Sequence, residues 1–350
     1  MHFLKAPGFY KPGGTSLLRL RNLFLLHLAT PLVVVWHLLA TCLVRERLVL
    51  LATTSPPLIQ WTCMLTGWVC RVPVVLWLQD AHPEVEARAL VRKNLKLLAS
   101  VLRMLDRHMA TLCSGLIPLD EAMREDYVRR TGYQGPIQTV PPWGTYLLPA
   151  KNFRAPSTGL PLKILYAGNY GAVHDLSPLA IALGQFSVKN QADICLTFVG
   201  MSESGLIRLR TLFSGLKCEL NYLPRLAALT DLVELMSTFD LGVVSLEEGQ
   251  AGVACPSKAF SYLSQGLPIL YVGPEHTLTW NLCKAGWGYT VDDLLALNYR
   301  RNLPVSARVG DVFPDPGVPA RQAIYDLIED VGRSNLSACP VKASTETRHL

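Results

Sequence analysis

Four short stretches of this 350-residue chain hold residue types whose spacing suits chemistry. The first is Gly168-Asn169-Tyr170-Gly171, between the apolar run Leu162–Ala167 and a helical pattern from about Leu176 to Phe186. Glycines at a strand-to-helix junction let the backbone approach a ligand, and the next helix start offers free N–H groups and partial positive charge. That suits a phosphate, although the spacing is neither GxGxxG nor a P-loop, and a plain tight turn uses the same residues. The second is Ala254-Cys255-Pro256-Ser257-Lys258-Ala259-Phe260, where Pro256 fits the first position of a helix and leaves Ser257 and Lys258 in its first turn. A lysine is disfavoured there unless an anion is bound, in which case hydroxyl, N–H and ammonium share a phosphate; an exposed surface lysine is the alternative. The third is Gln79-Asp80-Ala81-His82-Pro83-Glu84. Asp80 and His82 suit hydroxyl orientation or proton transfer, or Asp80 caps the next helix. The fourth is Glu247-Glu248-Gly249-Gln250, carboxylates suited to sugar hydroxyls or to a solvated loop.

Three of these stretches directly follow apolar runs, which says how they are positioned. Leu48–Ala52, Val72–Leu78, Leu162–Ala167, Ile194–Val199, Cys218–Leu223, Leu241–Leu246 and Ile269–Val272 read as strands. Helical stretches separate most of them: Leu58–Val69, Leu176–Phe186, Ala227–Thr238 and Ser257–Ser264. Strands alternating with helices, each strand apolar throughout, indicate α/β domains with doubly wound parallel sheets, whose ligands bind beyond the strand C-termini. The length fits two domains. The prolines of Thr139-Val140-Pro141-Pro142-Trp143-Gly144 stiffen a connector, so domains are expected at 1–145 and 146–350.

The first domain differs in charge. Residues 1–150 hold 16 Lys and Arg against 9 Asp and Glu, the remainder 17 against 18. Leu23–Val44 lacks Lys, Arg, Asp and Glu but contains His27, Pro31 and His37, so it reads as a spanning helix, a helix lying against a bilayer, or a core helix. A long basic amphipathic helix is expected over about Val85–Met109, either solvated or on a membrane surface. The nine cysteines are scattered without a CxxC pair, which suits buried thiols rather than a disulfide frame. No zinc pattern, GxSxG elbow or Cys-His pair is recognisable, no metal or cofactor is expected, and basic residues without interleaved aromatics argue against nucleic acid. The tail after Asn335 shows no period.

With these segments in view, the chain resembles the retaining glycosyltransferases of family 4, and most of all the bacterial branch that builds lipid-linked exopolysaccharide or O-antigen repeats. The resemblance runs through Thr54-Ser55-Pro56-Pro57, the Gln79–Glu84 segment, Val140-Pro141-Pro142-Trp143, Tyr166–Gly171, and Pro256-Ser257-Lys258 through Gly266-Leu267-Pro268-Ile269. It implies the GT-B fold, two Rossmann-like domains facing across a cleft. A nucleotide-sugar donor is then held by the C-terminal domain and a lipid-linked acceptor by the N-terminal one. Transfer retains anomeric configuration without a metal, at the cytoplasmic face of a membrane, the protein being peripheral or monotopic. Gly168, Asn169 and Gly171 would face the diphosphate with Ser257 and Lys258 beside it; Asp80 or His82 would lie near the transferred sugar; His174 and Glu247 join the donor side. The family often has Glu where Ser261 stands, to hold the ribose, and a second Glu where Val253 stands. A basic residue often follows its glycine loop, where this chain has Ala172-Val173-His174. The other readings are a catalytically silent scaffold or partner subunit, favoured by those departures, and an epimerase, whose GxGxxG is missing.

Overall fold

The computed structural model describes residues 21, 25, 28–36, 48–142, 151–153, 161–296 apart from 172, 191–192 and 227, and 311–337 apart from 315. By contact the chain forms two compact units. One holds the residues up to Pro118, Tyr127–Val140 and those from Arg321; the other holds Leu119–Asp126 and Pro141–Ala320.

In the first unit a helical stretch over 28–36, α1, precedes β1 (Leu50–Thr53), α2 (Ile59–Cys70), β2 (Val74–Trp77), α3 (Glu84–Arg92), α4 (Lys96–Ala110), β3 (Gly115–Ile117) and α5 (Glu121–Thr131), which crosses into the second. The three strands pair in parallel in the order β1-β2-β3. Val74, Val75 and Leu76 are buried, as expected of a strand covered on both faces. Among the described residues no helix is long and apolar enough to cross a membrane, and parts of Leu23–Val44 lie outside them.

The single basic helix expected over Val85–Met109 is two helices. Asn94 takes a left-handed φ of 61°, its N–H donates to the Val91 carbonyl, and the Leu95 N–H reaches back to Leu90 at 2.9 Å. This paired arrangement satisfies the last carbonyls of α3, and asparagine is one of the few residues to adopt its left-handed position readily.

The second unit contains β4 (Leu162–Ala167), α6 (Ser177–Asn190), β5 (Ile194–Val199), α7 (Glu203–Leu212), β6 (Glu219–Leu223), α8 (Leu229–Met236) and β7 (Leu241–Ser245). There follow α9 (Lys258–Ser264), β8 (Ile269–Val272), α10 (Leu278–Leu282), β9 (Gly288–Thr290) and α11 (Val291–Ala296). The final helix, α12 (Gly317–Ser337), starts here and runs into the first unit. There Val331 lies so near Gly115 that a Cβ on that glycine would come within 3.1 Å of it. All six strands are parallel, in the order β6-β5-β4-β7-β8-β9. Two buried clusters form the core. One gathers Leu162, Ile164 and Tyr166 with α6 and α7, the other Leu165, Val244 and Ile269 with α9. The expectation of a doubly wound parallel α/β sheet therefore holds here, with every expected strand present.

Candidate functional site

Strand order fixes where a site can form. The chain steps from β4 outward to β5 and β6, then returns to the other side of β4 with β7. Such a reversal opens a crevice beyond the strand C-termini. Loops from both sides meet there, since the Glu247 N–H, just past β7, donates to the Val173 carbonyl in the loop after β4 at 2.8 Å.

Tyr262 sets α9 against this crevice. It packs across Gly242, where a Cβ would sit 2.6 Å from its ring, and its phenol oxygen accepts the Ala167 N–H at 2.8 Å. Lys258 is four residues earlier, hence on the same helix face, and it lies over Gly168, the residue after Ala167. A Cβ at Gly168 would come within 2.9 Å of Lys258 Cε, and its φ of +108° also favours glycine. The ammonium stands 4.0 Å from the Tyr166 ring centroid, buried and without a hydrogen-bond partner among the described residues. Burial pushes its pKa from 10.5 down to about 7. A sealed, unpaired ammonium is costly, and an arriving anion would remove that cost.

The His174 ring stands perpendicular to that of the same tyrosine, centroids 6.3 Å apart. Its Nδ1 lies 2.8 Å from the Ser245 carbonyl, which can only accept, so Nδ1 carries the hydrogen. Burial, and then the charge of Lys258, push its pKa down to about 4, so at neutral pH His174 is no cation. On the opposite flank, at the ends of β4 and β5, a cavity of about 450 Å³ is lined by residues including Gly168, Asn169, Gly200, Arg225 and Leu226. Arg225 escaped the sequence reading, although its place two residues past β6 is a signal that could have found it.

The other expected residues are less engaged. Asn169 is exposed, its carbonyl accepting from Tyr166 Oη at 3.3 Å. A Cβ at Gly171 would meet open space. Ser257 is an exposed cap residue without a capping bond, and Pro256 precedes the helix rather than opening it. The N–H groups of Ala259 and Phe260 turn back to Pro256 and Ser257, and that of Gly168 bonds Val199 at 2.9 Å. Fewer backbone donors therefore stand ready than the sequence suggested, and the Lys258 side chain carries the positive charge. Gln250 donates to Glu247 Oε2 at 3.4 Å, and Ser261 is half-buried one turn beyond Lys258.

In the first unit, His82 lies beyond β2 with Nδ1 2.6 Å from Glu86 Oε1, and its carbonyl accepts from Gln60 Nε2 at 2.8 Å. Although burial works against ionisation, the His82 hydrogen bond and charge hold the Glu86 carboxyl below its ordinary value. Asp80 reaches the surface, yet the protein packed around its carboxyl pushes its pKa up. His82 opposes that rise and Glu86 adds to it. Glu86 is a residue the sequence reading passed over, although its place four residues after His82, on the helix expected there, was a usable signal.

No family model matches the chain, and no curated protein matches it. Solved structures do align with it. Anabaena HepE in complex with UDP is 11% identical with a TM-score of 0.47, over 83% of this chain and 79% of that one. A trehalose-6-phosphate synthase studied with bisubstrate glycomimetics is 12% identical with a TM-score of 0.46, over 80% and 77%. The lipopolysaccharide outer core galactosyltransferase WaaB is 12% identical with a TM-score of 0.44, over 80% and 71%. These likenesses are modest.

Proposed function

We propose that the protein is a GT-B glycosyltransferase that moves a sugar from a nucleotide-sugar donor to a lipid-linked acceptor in surface polysaccharide assembly. The observation carrying this reading is the Lys258 ammonium, buried above Gly168 at the sheet's reversal point with the Tyr166 ring beside it and no hydrogen-bond partner among the described residues. A diphosphate there supplies the missing counter-charge, and the cavity beside it suits a nucleoside. When the sugar–phosphate bond breaks, negative charge grows on the leaving diphosphate, and a cation already in place in a water-poor site stabilises it without reorganisation. Asp80 and the Glu86-held His82 serve the acceptor side. In this reading transfer retains anomeric configuration and uses Lys258, not a metal, as the leaving group's positive partner; turnover undiminished by EDTA is expected.

The test is a thermal-shift panel of nucleoside diphosphates and nucleotide-sugars on the full chain, since a ligand that binds only the folded state raises its melting temperature. A specific shift in the wild type, and affinity on the order of a hundredfold weaker in Lys258→Ala, is expected. No shift from any of them, or an unchanged Lys258→Ala, refutes the reading.

The same proposal places the first unit on an anionic lipid surface. Exposed apolar side chains crowd α2 (Leu65, Trp68, Val69) and α4 (Leu97, Leu98, Val101, Met104), Leu97 being 82% and Trp68 67% exposed. The two helices are joined by the Trp61 indole N–H donating to Asp106 Oδ1. Exposed Arg71 closes α2, and exposed Lys93 and Lys96 flank the turn from α3 into α4. Each large side chain entering lipid contributes about 1–2 kcal/mol, and each nearby cation about 1 kcal/mol on an anionic leaflet. Co-sedimentation with phosphatidylglycerol vesicles, lost on pairing Trp68→Glu with Leu97→Glu, is expected; equal binding to neutral vesicles, or self-association instead, counts against it.

A further inference from the structure

We propose that His174 is a specificity residue that accepts a hydrogen bond at Nε2 from a hydroxyl of the transferred sugar, rather than holding the diphosphate. This rests on the donor reading above.

Three features of the site lead there. The first is the tautomer: the Ser245 carbonyl occupies Nδ1 at 2.8 Å, which leaves Nε2 with a lone pair and no hydrogen. No hydrogen bond to Nε2 is made among the described residues. A bare imidazole nitrogen repels phosphate oxygens and attracts hydroxyl hydrogens. The second is the neighbouring charge. Lys258 and His174 share the ring of Tyr166, one 4.0 Å from its centroid and the other with its ring perpendicular to it at 6.3 Å. The ammonium works against a proton on the imidazole, so the pair divides into one cation and one neutral acceptor.

The third is direction. The 450 Å³ cavity lies at the ends of β4 and β5, whereas His174 is bonded to Ser245 at the end of β7. Lys258 lies over Gly168, which lines the cavity, and shares Tyr166 with His174. A donor with its nucleoside in the cavity and its diphosphate at Lys258 therefore directs its sugar toward β7. His174 then meets the sugar and not the ribose. Ser245 Oγ, 3.3 Å from Nδ1, fixes the ring from the same strand end, and the Glu247 N–H holds the loop that carries it.

The experiment compares matched ligands on the full chain by calorimetry: UDP, GDP and dTDP against UDP-glucose, UDP-N-acetylglucosamine, GDP-mannose and dTDP-rhamnose. For the pair the wild type binds, His174→Phe weakens the nucleotide-sugar about tenfold, the loss of one hydrogen bond. The free diphosphate stays within about twofold, which also shows that the variant is folded. His174→Ala carries the same test should the phenylalanine not fit. Equal losses for sugar and free diphosphate would place His174 on the ribose or phosphate and overturn the proposal, as would no loss for either. If the wild type binds diphosphate but neither variant separates the two ligands, only this inference falls. If it binds no nucleotide, the donor reading falls with it.

Discussion

His82 in the first unit and His174 in the second both follow a buried parallel strand, and each commits Nδ1 to a nearby oxygen. The partners differ. His82 faces the Glu86 carboxylate at 2.6 Å, whereas His174 faces a backbone carbonyl at 2.8 Å with Lys258 beside it. A carboxylate can stabilise an imidazolium formed during proton transfer; a carbonyl next to an ammonium keeps the ring neutral. Residue type and location alike thus leave a histidine's role open, and the atom opposite Nδ1 decides it. In the proposed reading the first unit supplies the proton-handling group, and the second a charge-binding lysine with a neutral histidine beside it.

The sharpest way to break this contrast is His82→Ala. Turnover of a bound nucleotide-sugar is expected to fall on the order of a hundredfold, within the usual reach of general acid–base groups, with diphosphate affinity unchanged. Should affinity drop and turnover hold, the two histidines have exchanged roles. Gly168→Ala has an intermediate effect. Its Cβ meets Lys258 Cε at 2.9 Å in a backbone region that costs other residues about 1–3 kcal/mol. Chemical denaturation should show a loss of about 2 kcal/mol, with donor affinity weakened about tenfold as Lys258 is pushed aside. A variant as stable as the parent would mean that lysine and glycine are not in contact.

A last effect concerns pH. Lys258 has a folded-state pKa near 7 against an ordinary 10.5, so between those values the unfolded chain binds more protons. Stability therefore rises with pH across that window. Lys258→Met removes this dependence. Its melting temperature should exceed the wild type's by a few degrees at and below pH 7, the gap closing toward pH 10.5. A constant gap would show that the ammonium is not sealed. Donor binding should weaken above pH 7 for the same reason, because Lys258 must then take up a proton to meet the diphosphate.

Much of this was legible in advance where the signal was local. Apolar runs such as Val243–Val244 and Leu270–Val272 announced parallel strands because both faces of such strands are covered. The strand-end rule then marked Gly168, Asp80 and Glu247. Asn94 was a local signal passed over: the amphipathic pattern continues through it, while its left-handed φ ends one helix and begins another. The short strands β3 and β9 and the helices α5, α7, α10, α11 and α12 were not anticipated.

What the sequence settled by itself is the α/β alternation, and it nominated residues to face a phosphate, since both follow from neighbours along the chain. The tertiary structure decided which of them meet. Tyr262 reaching the Ala167 N–H swings Lys258 over Gly168, and β7 pairing beside β4 brings Ser245 to His174. Both contacts join residues more than seventy positions apart. Whether an ammonium is sealed or an imidazole neutral depends on burial and on those distant partners, and burial is a property of the packed fold.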